Sequence, residues 1–143
     1  MKALIVFSAN PARKRIYPKN MNDTTKIIIV EDNPHARQAL KAVMSMQAGI
    51  KVTGDASNGQ EAINIIEELP PDLVLMDMRM PVMDGLETTK IIKQNWPQIK
   101  IIILTIHSEC QSELLSAGAD AFLIKGCPTN KMMSSIHNLL HTR

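Results

Sequence analysis

Leu73-Val74-Leu75-Met76-Asp77-Met78-Arg79-Met80-Pro81-Val82-Met83-Asp84-Gly85 is the stretch on which the reading of this chain turns. Its apolar start, opened by Pro70-Pro71 and stopped by Asp77, has the length and character of a strand buried on both faces, and such strands belong to parallel sheets. Asp77 then stands where the strand leaves the sheet. In an open α/β sheet the crevice beyond the carboxyl ends of the strands is where ligands bind, so a carboxylate there is a candidate site residue.

The pattern recurs. Ile27-Ile28-Ile29-Val30 runs into Glu31 and Asp32, Ile101-Ile102-Ile103-Leu104 into Thr105, and Ala121-Phe122-Leu123-Ile124 into Lys125. Parallel strands put these ends on one edge, which gathers three carboxylates, a hydroxyl and an ammonium. Ile50 to Gly54 is a further strand.

Helix signals separate the strands. Asn33 caps a helix with Pro34 at its first position, followed by Ala36, Leu40, Val43 and Met44 at helical spacing up to Gly49. Asn58 with Glu61 forms a capping box before Ala62, Ile63, Ile66 and Leu69, and Asp84 with Glu87 caps a helix closing near Trp96-Pro97. Ser108 with Gln111 opens a helix whose apolar side is only Leu114, Leu115 and Ala117, so it should be the least firmly held. The last helix lines up Met132, Met133, Ile136, Leu139 and Leu140. Five strands alternating with five helices predict a flavodoxin-like, doubly wound parallel sheet of order 2-1-3-4-5.

Composition narrows the function classes. At 143 residues with 45% hydrophobic content, the chain suits one globular domain, and with 3% aromatics its core must be aliphatic and methionine-filled. No apolar run approaches the roughly 20 residues of a membrane helix, and Ala3 to Phe7 is shorter than a signal peptide's apolar region of about 7–15, so a cytoplasmic protein is expected. Cys110 and Cys127 lack metal-site spacing and are expected as free thiols. Lys2, Arg13, Lys14, Arg15 and Lys19 precede the first acid, Asp23; without those five the net +2 becomes about −3. Residues 1–25, broken by Asn10-Pro11 and Tyr17-Pro18, are therefore expected as a basic flexible tail or as a misassigned or foreign start, and residues 26–143 as the domain. That domain has no basic stripe or stacking aromatics for nucleic acid.

Taken together, Glu31-Asp32, Asp77-Met-Arg-Met-Pro81 with Asp84-Gly85, Thr105, and Lys125 preceded by Phe122 resemble the response-regulator receiver domain of two-component systems. The resemblance runs from about Lys26 to Leu140. Glu31, Asp32 and Asp77 would repel one another by roughly 4 kcal/mol per pair at about 4 Å and an effective dielectric near 20, a conflict that a divalent cation removes. The resemblance implies Mg²⁺ on Asp32, Asp77 and the backbone carbonyl of Arg79, with Glu31 acting through water. It implies Asp77 as the phosphoacceptor for a phosphohistidine on a sensor histidine kinase or phosphotransfer protein, with Lys125 and Thr105 holding the phosphoryl oxygens. It further implies a switch through Thr105 and Phe122 that alters the surface of the fourth helix, fifth strand and fifth helix, for an effector or a homodimer. Such a protein is a phosphoacceptor that assists its own phosphorylation and autodephosphorylation, not a metabolic enzyme.

Departures from the pattern carry expectations of their own. Gly126 follows Lys125 where proline is common, so no cis peptide is expected; this looks like the NarL-type branch, whose helix-turn-helix is absent from the sequence. Alternatives are a phosphorylation-independent interaction module, or the isolated receiver of a DNA-binding regulator. Arg79 and His107 flank the path of the attacking water and are expected to slow autodephosphorylation. Asp84 and Asp55 read as turn or cap residues, and His35, His107, His137 and His141 as surface residues that form no ligand set. Met78, Met80 and Met83 read as loop packing. Phe122, lacking the hydroxyl of tyrosine, reads equally well as core filler.

Overall fold

The computed structural model describes residues 24–106 and 111–141. Five strands, β1 (Thr25–Val30), β2 (Ile50–Ala56), β3 (Leu73–Asp77), β4 (Lys100–Thr105) and β5 (Ala121–Ile124), alternate with helices α1 (Pro34–Ser45), α2 (Gly59–Glu68), α3 (Gly85–Asn95), α4 (Gln111–Ala117) and α5 (Thr129–His141). All pairings are parallel and the sheet order is β2-β1-β3-β4-β5. The chain is thus doubly wound as expected.

Two apolar layers cover the sheet because alternate strand residues point to opposite faces. One layer joins Ile28, Val74, Met76, Ile101 and Ile103 to Ile66 of α2, Ile92 of α3 and Leu114 of α4. The other joins Ile27, Ile29, Leu73, Leu75, Ile102 and Leu104 to Met44 of α1 and to Met132 and Ile136 of α5. Both faces of the central strands are therefore dry, and every residue of β3 is buried.

The helix starts follow the sequence. Asn33 accepts from the N–H groups of His35 and Ala36, Asn58 from Glu61 and Asp84 from Glu87. Glu61 reaches back to the N–H of Ser57, one residue before its cap. Some boundaries differ. The first helix stops at Ser45 with Met46 as its cap, so Gly49 (φ +79°) belongs to the following turn. The second strand continues past Gly54 to Ala56. On α4 Leu114 is buried but Leu115 is 57% exposed, so the apolar side of this helix is narrower than the sequence implied. Ser108, its expected cap, and the tail before Thr24 lie outside the described residues.

Candidate functional site

Register brings the polar strand ends together. Val30 lies beside Met76, Asp77 beside Leu104, and Thr105 beside Ile124, so the residues that follow emerge along one edge. Glu31, Asp77 and Thr105 are buried there, whereas Asp32 is exposed. One carboxylate oxygen from each of Glu31, Asp32 and Asp77 lies within 4.8 Å of the others. Such a set of hard oxygens suits a hard divalent cation such as Mg²⁺.

Lys125 sits against this nest. Its Nζ is 2.7 Å from Glu31 Oε1 and 3.2 Å from Asp77 Oδ2, and its N–H donates to the carbonyl of Thr105 at 2.9 Å. A turn continues from there through Gly126 at φ +87°, and no described peptide bond is cis, which agrees with glycine in place of proline. Burial raises the pKa of Glu31, but the Lys125 ammonium and the Asn33 N–H, 3.1 Å from Oε2, outweigh it and hold the group below the ordinary carboxylate value. Asp77 is pushed the other way, by burial and then by the Glu31 charge, against the pull of Lys125. Lys125 loses hydration, yet its two carboxylate partners raise its pKa. The charge shared between Glu31 and Lys125 is settled, and that of Asp77 is under strain.

The loop after β3 shapes the approach. Val82 has φ +70°, a conformation that L residues other than Gly, Asn and Asp seldom take, and the Met83 N–H donates to Pro81 O at 2.7 Å across it. At Gly85 a Cβ would stand 2.8 Å from the Asp77 carbonyl and 2.9 Å from Met78 Cα, so the start of α3 approaches the acceptor strand as only glycine allows. Met78, Met80 and Met83 pack against the core beneath, as expected. Phe122 is half-buried and packs on the same layer. Arg79 is exposed, and His107 lies outside the described residues.

Asp84 is a helix cap, as read from the sequence. Asp55 is not a turn or cap residue. It lies in β2 and binds Arg37 Nε at 3.0 Å and Lys41 Nζ at 3.1 Å, both from α1. Arg37 also reaches the carbonyl of Glu31 at 2.8 Å. Sequence reasoning missed this cluster because its members are 18 and 6 residues apart and no periodicity links them. Among the histidines, His137 and His141 stack with ring centroids 4.4 Å apart on α5, without a third ligand among the described residues.

Comparison with known proteins agrees with the geometry. Residues 27–137 match the family model of the response regulator receiver domain. The nitrate/nitrite response regulator protein NarL of Escherichia coli K12 is 34% identical over 113 residues, 78% of this chain and 52% of that protein. The response regulator protein VraR of Staphylococcus aureus is 40% identical over 104 residues, 71% of this chain and 50% of that protein. The chain thus spans about half the length of the curated relatives it matches. Among solved structures, a DNA-binding response regulator of the LuxR family from Staphylococcus aureus superposes with a TM-score of 0.77 at 28% identity, covering 82% of this chain and 99% of that one.

Proposed function

The chain belongs to the response regulator receiver family, and we propose on that footing that it is a phosphorylatable signalling switch whose acceptor is Asp77. The observation that carries the reading is the meeting of three carboxylate oxygens within 4.8 Å beside the Lys125 ammonium. In this reading the receiver unit begins at about residue 26 and ends with α5, and it acts in the cytoplasm. Among the described residues no helix is long and apolar enough to cross a membrane.

Mg²⁺ would be held by Asp32, Asp77 and the Arg79 carbonyl, with Glu31 acting through water, and when bound it supplies neutralising charge for the transferring oxygens. The chain's own groups do the rest. A carboxylate oxygen of Asp77 attacks the phosphorus of a phosphohistidine on a sensor kinase or phosphotransfer protein. The new P–O bond forms as the P–N bond breaks, and the imidazole nitrogen leaves with the electron pair. Lys125 exchanges its contact with Asp77 for a phosphoryl oxygen, and Thr105 donates its hydroxyl to another. Arg79 and His107 are expected to slow hydrolysis of the acyl phosphate through their bulk and charge.

The switch in this reading is a population shift of Thr105 and Phe122 that changes the α4, β5 and α5 surface. Its support is that α4 is anchored by a single buried residue, Leu114, and that Leu115 on this helix, Ile106 just after β4 and Ile124 at the end of β5 are 57%, 67% and 53% exposed. An effector or a second copy of the chain would cover those aliphatic groups. A receiver serving a DNA-binding regulator is the second reading, favoured by the likeness to the Staphylococcus aureus structure. Incubation with Mg²⁺ and acetyl phosphate, followed by intact mass measurement, tests the proposal: the wild type should gain one phosphoryl group and Asp77→Asn none. No gain by the wild type would count against the switch and favour an interaction module that works unphosphorylated.

A further inference from the structure

The acidic nest needs more than its carboxylates, because Glu31 and Asp32 lie just past the end of β1, where the ladder no longer dictates the backbone. The Glu31 N–H still donates to Ala56 O at 2.9 Å. The Glu31 carbonyl, which shares its peptide plane with the N–H of Asp32, accepts from Arg37 Nη1 at 2.8 Å. Rotating that plane would swing both carboxylates. We propose that Arg37, braced by Asp55, is a positioning residue that fixes the Glu31–Asp32 peptide and thereby sets the affinity of the acidic site for a divalent cation.

The brace depends on an irregularity in the sheet. Val52 pairs with Ile27 but Gly54 pairs with Ile28, leaving Thr53 as an extra residue in β2. Without it Asp55 would lie opposite Val30, on the face covered by α2 and α3. With it Asp55 lies opposite Ile29, on the face covered by α1. A one-residue slip of register inverts a side chain's face, and bulges are a common device for re-aiming one. Asp55 Oδ2 then takes Arg37 Nε at 3.0 Å and Oδ1 takes Lys41 Nζ at 3.1 Å. The guanidinium is held along one edge while its Nη1 is aimed at Glu31, which a lysine at position 37 could not do with its single nitrogen.

Charge and geometry make opposite predictions here. As a mere positive charge near the nest, Arg37 would repel a cation, and its loss would tighten binding. As a brace, its loss loosens the ligands, and groups that orient metal ligands typically cost 10–100-fold in affinity when removed.

The inference rests on the magnesium reading above, and the test separates the two. Mg²⁺ binding to the unphosphorylated full chain is measured by calorimetry at fixed ionic strength, with thermal unfolding in EDTA as a check of folding. Arg37→Met and Arg37→Lys should each weaken binding by roughly tenfold or more, and Asp55→Asn should weaken it less but in the same direction. Acceptor activity lost at low Mg²⁺ should be recovered as Mg²⁺ is raised. If the wild type itself fails to bind Mg²⁺, the magnesium reading falls. If the wild type binds and both Arg37 variants match it within twofold, or bind more tightly, the brace is overturned while the switch stands. Arg37→Lys matching the wild type while Arg37→Met does not would also overturn it, because the two-point grip of the guanidinium on Asp55 and the Glu31 carbonyl would then not be needed. If Arg37→Met does not fold, Arg37→Lys and Asp55→Asn decide.

Discussion

Replacing Asp77 by asparagine should stabilise the metal-free protein. Asp77 and Glu31 present oxygens within 4.8 Å, which at an effective dielectric near 20 is a repulsion of about 3.5 kcal/mol. Lys125 Nζ at 3.2 Å returns about 5 kcal/mol on the same scale. That ammonium is already committed to Glu31 at 2.7 Å, exposed Asp32 adds a screened repulsion, and burial disfavours the charge further. The balance goes against an ionised Asp77, as the direction of its pKa shift shows. Asparagine keeps the shape and removes the charge, so at pH 7 it should raise stability, by less than the roughly 3.5 kcal/mol of the Glu31 repulsion taken alone. Urea unfolding in EDTA measures it. Added Mg²⁺ should then reverse the order, because a cation at ten times its dissociation constant stabilises the wild type by about 1.4 kcal/mol while the variant has lost a ligand. An Asp77→Asn protein less stable than wild type in EDTA, or one that gains equally from Mg²⁺, would refute the reasoning.

Other consequences can be checked alongside. The Asp77 pKa is raised in the folded state, so its destabilising charge is fully present above that pKa and disappears as pH falls toward the ordinary 3.8; the advantage of Asp77→Asn should shrink over that window. Glu31 has the opposite sign: its contribution is present above its ordinary 4.5 and is lost as pH falls through its lowered folded pKa, so Glu31→Gln should destabilise at pH 7 and matter least in acid. Val82→Gly removes a β-branched residue from φ +70° at a 79% exposed site and should raise stability by about 1 kcal/mol in chemical denaturation. Gly85→Ala must displace the Asp77 carbonyl or Met78, so it should cost about 2 kcal/mol and also slow phosphoryl acceptance; acceptance at the wild-type rate would mean that the loop adjusts freely.

Much of this was legible before any coordinates. Four apolar runs ending in Glu31, Asp77, Thr105 and Lys125 give the sheet edge directly, because a parallel strand needs two dry faces and its polar neighbour can only sit beyond its end. Caps at Asn33, Asn58 and Asp84 were equally plain, since each side chain accepts from an N–H two or three residues further on. What escaped was set by pairing between distant segments. The extra residue at Thr53 leaves no mark in the local sequence, yet it turns Asp55 from an apparent turn or cap residue into the partner of Arg37. Leu115 has the spacing of a core residue, but seven-residue α4 presents only Leu114 to the sheet. The positive φ of Val82 was hidden because valine is among the residues least suited to it.

The central claim is that Asp77 receives a phosphoryl group with the aid of a divalent cation. After exposure to acetyl phosphate, reduction with borohydride converts an aspartyl phosphate to homoserine, and peptide mass mapping locates the change. The account predicts homoserine at position 77 with Mg²⁺ and its absence with EDTA. Conversion at another carboxylate, or at position 77 regardless of metal, would contradict it.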